Sequence, residues 1–177
     1  MFLFMVKFNK AVFLDRDGVI NKNYGYVHDI KKFVWLKNVK KAIKFLNNNN
    51  YKVIVISNQS GVARNKFTEK DVNNLHKWMN IELKKINAKI DHFFYCPYHP
   101  RVGLKKYKKK SFFRKPNPGM VLKAIKMYNI NIGNSFMIGD QKIDEICAKR
   151  SKIKFYYKKN NLLKDIKRIL TKIKKND

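Results

Sequence analysis

The chain reads as short apolar runs separated by segments in which apolar residues recur every three or four positions. Residues 11–14 (AVFL) form a continuous apolar run ending at Asp15, the pattern of a strand buried on both faces. Similar runs at 51–56 (YKVIVI), 93–95, 135–138 and 153–157 bring the predicted strands to five. Val39, Ala42, Ile43 and Leu46 share one face and predict a helix over 39–46, closed by the asparagines at 47–50. Thr68 reads as the cap of a helix running to about Lys85, with Val72, Leu75, Met79 and Leu83 on its core side. Further helices are predicted at 120–128, entered through Asn117-Pro-Gly, at 142–149 and at 161–174. Segment 22–36 predicts a loop or small flap, and 96–115 a long loop. Strands alternating with helices predict an α/β fold with a mostly parallel sheet covered on both faces. No repeat or linker divides the sequence, so one domain spanning 1–177 is expected.

Composition narrows the class. A chain of 177 residues that is 45% hydrophobic and 14% aromatic is globular rather than disordered. Cys96 and Cys147 are too few for a disulfide framework. The opening MFLFMV lacks a basic flank and a cleavage site, and no apolar run approaches the roughly 20 residues of a bilayer span. A cytoplasmic monomer with no membrane partner is expected. The net charge of +29 invites a nucleic-acid reading, because Lys and Arg contacts to phosphate drive such binding. Yet the 41 cations are 35 Lys and 6 Arg, in a chain also crowded with Asn. A- and T-rich codons favour both Lys and Asn, whereas base readout and bidentate phosphate binding favour Arg. Nucleic acid is therefore not the expected partner, although a positive surface attracts anionic substrates.

Candidate chemistry gathers at one edge. Asp15 and Asp17, the SNQSG of 57–61, Arg114 with Lys115, and Gly139 with Asp140 each end a predicted strand or lie in the loop that follows one. In open α/β sheets ligands bind there. FLDRDGVIN (13–21), SNQSG, RKP (114–116) and IGD (138–140), in that order, resemble the haloacid dehalogenase-like phosphatases over about residues 11–157. The match is nearest to the branch of histidinol-phosphate and heptose-bisphosphate phosphatases. Within it GYVHD (25–29), NQSGVARNKFTEKD (58–71) and RKPNPGM (114–120) resemble the heptose-bisphosphate side. The resemblance implies a three-layer Rossmann-like fold with a small flap and no large cap domain. It also implies removal of the C7 phosphate from a heptose 1,7-bisphosphate, on the route to nucleotide-activated heptose for lipopolysaccharide.

The chemistry of the residues agrees with this. A carboxylate can attack phosphorus and split one hard hydrolysis into two easier steps, which makes Asp15 the candidate nucleophile. Asp17 would protonate the departing sugar oxygen and then activate water. Carboxylates facing a phosphate dianion require a cation. Mg2+ held by the Asp15 carboxylate, the Asp17 backbone carbonyl and the Asp140 carboxylate satisfies that need. Ser57 stands where most of the family has Thr and keeps the hydroxyl; with Asn58 and Gln59 it is expected at the phosphoryl oxygens. Lys115 is the expected cation against the phosphoryl charge, with Arg114 beside it. Arg64 is placed to hold the second phosphate or a sugar hydroxyl, Tyr26 belongs to the flap, and Asn21 is expected to orient the nucleophile loop. Asp144 either supports the metal site from behind or simply begins its helix.

The chain also departs from the family. Relatives bind a structural zinc in the long loop through a Cys-x-His and a later Cys-x-Cys pair. Here those stretches read Cys96-Pro-Tyr98 and Ser111-Phe-Phe113, with His99 one position off. Four good ligands are not available, so no zinc is expected, and Phe112 and Phe113 are expected to pack into the core instead. Gln141 replaces a lysine that several relatives carry after the metal-binding aspartate.

Overall fold

The computed structural model describes residues 8–159 and 161–175. The apolar opening at 1–6 lies outside them. Strands β1 (Lys10–Leu14), β2 (Tyr51–Asn58), β3 (His92–Cys96), β4 (Phe136–Gly139) and β5 (Lys154–Tyr157) form one sheet in the order β3-β2-β1-β4-β5. Every neighbouring pair is parallel. Helices α1 (Val39–Asn48), α2 (Glu69–Lys84), α3 (Gly119–Tyr128), α4 (Lys142–Arg150) and α5 (Leu162–Lys174) alternate with the strands.

Alternation along β1 sorts its side chains between two cores. Val12 and Leu14 pack with apolar residues of α1, α2 and α5, such as Ile43, Leu75 and Ile166. Ala11 and Phe13 pack with Met120, Val121 and Ala124 of α3 and Cys147 and Ala148 of α4. Burial on both faces is the reason the strands are continuous apolar runs. The predicted elements all form, within one or two residues of their expected bounds. Strand β2 runs two residues further than its apolar run and so carries Ser57 and Asn58. Thr68 caps α2 in a reciprocal box with Asp71.

The flap of 22–36 contains a short 3-10 helix at Ile30–Lys32 and is anchored by buried Val27 and Phe33, while Tyr24 and Tyr26 are exposed. Phe33 meets Trp35 and Trp78 edge-on, at 5.0 and 5.4 Å. The long loop after β3 corrects one expectation. Phe112 and Phe113 do not enter the core; they are 58% and 41% exposed and face each other edge-on at 6.2 Å. The loop is held by polar bonds, which leaves those rings outside. Glu69 accepts from both Tyr95 Oη (2.9 Å) and Tyr107 Oη (2.8 Å), Leu104 N–H donates to the Ala63 carbonyl (2.7 Å), and Gly119 N–H to the Phe112 carbonyl (3.1 Å). No helix among the described residues is long and apolar enough to cross a membrane.

Candidate active site

After β1 the chain moves outward through β2 and β3, then crosses back to β4 on the other side of β1. The strand order thus reverses between β1 and β4, the place where an open α/β sheet offers a crevice. Asp15 follows β1 and is tied to β4 by its N–H to the Ile138 carbonyl (3.1 Å), while Asp140 follows β4. Gly18 (φ +90°) completes the approach: a Cβ there would lie 2.1 Å from Asp140 Oδ2. Asp15, Asp140 and Asp144 each present an oxygen within 4.8 Å of the others, an all-oxygen donor set suited to a hard divalent cation. The Asp17 carboxylate stands outside that set. Its backbone carbonyl accepts no hydrogen bond from the described residues and remains free to serve as a ligand. Gly18→Ala is expected to displace Asp140 and raise the divalent-cation concentration for half-maximal activity by about tenfold or more. An unchanged requirement in a metal titration would contradict this geometry.

Lys115 lies at the centre of the charges. It is buried, and its Nζ meets Asp15 Oδ1 at 2.8 Å and Asp144 Oδ1 at 2.6 Å. Burial works to lower the Lys115 pKa, but the two carboxylates outweigh it and hold it up at about 12. Burial raises the Asp15 carboxyl; Lys115 pulls it back and Asp144 pushes it up again, leaving it at about 7. Asp140 is likewise raised by burial, then by Asp144. Asp144 begins its helix and also pairs with the buried lysine. Oδ1 takes the lysine, while Oδ2 accepts the Gln141 N–H (3.1 Å) and caps α4. Asn58 clamps the lysine's backbone, accepting Lys115 N–H at Oδ1 and donating from Nδ2 to the Lys115 carbonyl, both at 3.0 Å. Cation and nucleophile are thereby joined although the long loop separates them in sequence.

Asp17 has a different environment. Its carboxylate accepts from Arg16 Nη2 (3.0 Å to each oxygen), Asn21 Nδ2 (2.9 Å) and Gln59 Nε2 (2.9 Å). Gln59 also donates to Ser57 Oγ at 2.7 Å, linking the candidate phosphoryl hydroxyl to the candidate acid/base. Asn21 and Gln59 are buried and directed at Asp17, whereas Arg64 and Tyr26 are exposed. Arg114 is half-buried and donates from Nη1 to the Tyr98 carbonyl (3.1 Å). Two carboxylates two residues apart, one beside an ammonium and the other in a hydrogen-bond cage, are placed for different duties.

The loop residues do not fit a four-ligand zinc. Cys96 Sγ is buried against the Tyr98 carbonyl (4.0 Å), and His99 Nδ1 accepts the N–H groups of Arg101 and Val102, each at 3.2 Å. A cavity of about 500 Å³ lies by the amino ends of β1 and β2, lined by Lys10, Tyr51, Lys52 and Asn131; it contains none of this chemistry.

Arg16 was absent from the sequence-derived set. The signal was its rarity: 6 arginines among 41 cations, and this one stands between the two key aspartates. Asn58's hold on Lys115 had no such signal, because its partner lies 57 positions away.

A model of the polynucleotide kinase 3 phosphatase family matches residues 10–160. The chain belongs to this family, among the haloacid dehalogenase-like phosphatases. Two curated relatives match over about three quarters of their own length. D-glycero-beta-D-manno-heptose-1,7-bisphosphate 7-phosphatase of Vibrio cholerae is 42% identical over 138 residues, 78% of this chain and 74% of that one. D-glycero-alpha-D-manno-heptose-1,7-bisphosphate 7-phosphatase of Burkholderia mallei is 42% identical over 136 residues, 77% and 72% of the two chains. The crystal structure of D,D-heptose 1,7-bisphosphate phosphatase from B. bronchiseptica, complexed with magnesium and phosphate, superposes with a TM-score of 0.77 at 26% identity. That match covers 88% of this chain and 84% of the other.

Proposed function

We propose that this phosphatase hydrolyses the C7 phosphate of a D-glycero-D-manno-heptose 1,7-bisphosphate, with Mg2+ as cofactor, in the supply of activated heptose for lipopolysaccharide. The observation that carries the reaction is the buried Asp15 carboxylate, set against Lys115 and the Asp140–Asp144 pair with Asp17 beside it. The substrate rests on the relatives at 42% identity, which bear that activity in their names.

In this reading Asp15 attacks phosphorus. The new carboxylate–phosphorus bond forms as the bond to the sugar O7 breaks, and Asp17 passes its proton to that oxygen. Asp17 then takes a proton from water as the water attacks phosphorus, which frees phosphate and restores Asp15. Ser57 and Lys115 face the phosphoryl oxygens, Lys115 supplying charge that spreading negative density requires. Burial lowers the Arg114 pKa and nearby Arg64 lowers it further; Arg64 would hold the second phosphate or a sugar hydroxyl, and Tyr26 rides on the flap. Magnesium, held by the Asp15 and Asp140 carboxylates and the Asp17 carbonyl, would neutralise the dianion and polarise its oxygens.

Phosphate release should be strongest from the heptose bisphosphate, with histidinol phosphate and a 3′-phosphorylated oligonucleotide as rivals. A preference for either rival would overturn the substrate assignment. The same assay reads a pH effect. The Asp15 carboxyl is raised to about 7, so below that pH a proton occupies the oxygen that the cation needs, and above it the carboxylate is free; burial raises Asp140 in the same direction. Magnesium affinity should therefore weaken as pH falls from about 8 to about 6, with proton release on binding detectable by calorimetry in two buffers. A flat profile would remove Asp15 from the metal site.

A further inference from the structure

Arg16 has no exposed surface, in a protein whose other cations are mostly surface lysines. A buried guanidinium is costly unless its charge is paired and its donors are used. Here the pairing runs through one nitrogen. Nη2 meets both Asp17 oxygens at 3.0 Å, the Val27 carbonyl at 2.5 Å and Gln59 Oε1 at 3.2 Å. Val27 is one of the two buried residues of the flap, directly after exposed Tyr26. One side chain thus touches the candidate acid/base, the glutamine that reaches Ser57, and the backbone of the flap.

The backbone of Arg16 is fixed as firmly. Its N–H donates to Asp15 Oδ1 (2.7 Å), and its carbonyl accepts from the N–H groups of Val19, Ile20 and Asn21 at 3.3, 2.8 and 3.2 Å. His76 of α2, buried and stacked on Phe93 at 4.3 Å, lies close enough to feel the guanidinium. Burial, then Arg16, lowers its pKa to about 3, so the imidazole stays neutral and adds no second positive charge. The charge behind Asp17 is that of Arg16.

We infer that Arg16 is a positioning residue: it fixes the Asp17 carboxylate for proton transfer to the leaving oxygen and ties that placement to the seating of the flap at Val27. Nε and Nη1 have no hydrogen-bond partner among the described residues, so the contacts to carboxylate, amide and carbonyl all rest on Nη2. When substrate presses on the flap, movement of the Val27 carbonyl is felt at Asp17 through one guanidinium. Asn21 and Gln59 complete the cage from the other sides.

The inference rests on the phosphatase reading, and leaving-group chemistry separates the two. A sugar alkoxide needs a proton to depart, whereas 4-nitrophenolate departs without one. The ratio kcat/KM covers the steps through formation of the aspartyl-phosphate, so it isolates that proton transfer. For Arg16→Met, kcat/KM should fall about 100-fold or more on the sugar phosphate and less than about tenfold on 4-nitrophenyl phosphate. Hydrogen exchange over residues 22–36 should quicken. Equal losses on both substrates, or no loss, would overturn the positioning role, and unchanged exchange would overturn the link to the flap. Arg16→Lys keeps the buried charge and should show the same split at smaller size; should Arg16→Met melt at assay temperature, the lysine variant decides by the same criterion. An unaltered protein that hydrolyses neither compound overturns the phosphatase reading and this inference together.

Discussion

Replacing Asp15 by Asn is expected to lower phosphate release by about 10⁴-fold or more while leaving the protein folded, because the amide has no carboxylate to offer phosphorus. The structure sharpens this into a test with two readouts. Burial holds the Asp15 carboxyl well above the ordinary range, at about 7, so its charged form is disfavoured in the fold. Asn keeps an oxygen for the Arg16 N–H (2.7 Å in the parent) and removes the unfavourable charge, while Lys115 keeps Asp144 as its partner. The melting temperature should accordingly stay level or rise as activity disappears. This is the exchange expected where chemistry is held at a cost in stability. Activity within tenfold of the parent would remove Asp15 from the nucleophile's role, and a collapse in melting temperature would show the pair with Lys115 to be structural first.

Lys115→Met should damage both properties. The ammonium lies between Asp15 and Asp144 at 2.8 and 2.6 Å with almost no exposed surface. Breaking a buried ion pair from one side typically costs about 3–5 kcal/mol, since a charge remains without its partner. Here two carboxylates would remain, facing each other. Loss of the charge aimed at the phosphoryl group should cost a further factor of about 10²–10³ in kcat. Adding Asp144→Asn separates the effects: denaturant unfolding should show most of the stability regained, while kcat stays low. A double variant that regains activity would make Lys115 a neutraliser of Asp144 rather than a partner of the substrate.

Much of the site was legible because the fold places it by rule. A strand buried on both faces must be apolar along its length, so AVFL and YKVIVI end where polar residues resume, and those residues stand at the carboxyl edge. Local pattern places Asp15, Ser57 and Asp140 at that edge in this way. The expectation for Phe112 and Phe113 failed for a reason of the same kind. Paired aromatics in place of metal ligands suggested an apolar clip, but a local pattern cannot show that Glu69, 38 residues before Tyr107, already ties the loop.

What the amino-acid sequence determined by itself is the layered α/β sheet, the order of its elements and the edge at which chemistry collects. Those follow from periodicity and from where each apolar run stops. The tertiary structure alone decided how the charges pair. It put Lys115 between carboxylates 100 and 29 positions away, used Asn58 to hold that lysine's backbone, and buried Arg16 against Asp17 and the flap. Pairing energy depends on distance and on exclusion of water, and neither exists until the chain has folded. In a sequence with 35 lysines only the RKP motif marked Lys115; its burial between two carboxylates was decided by the packed sheet edge.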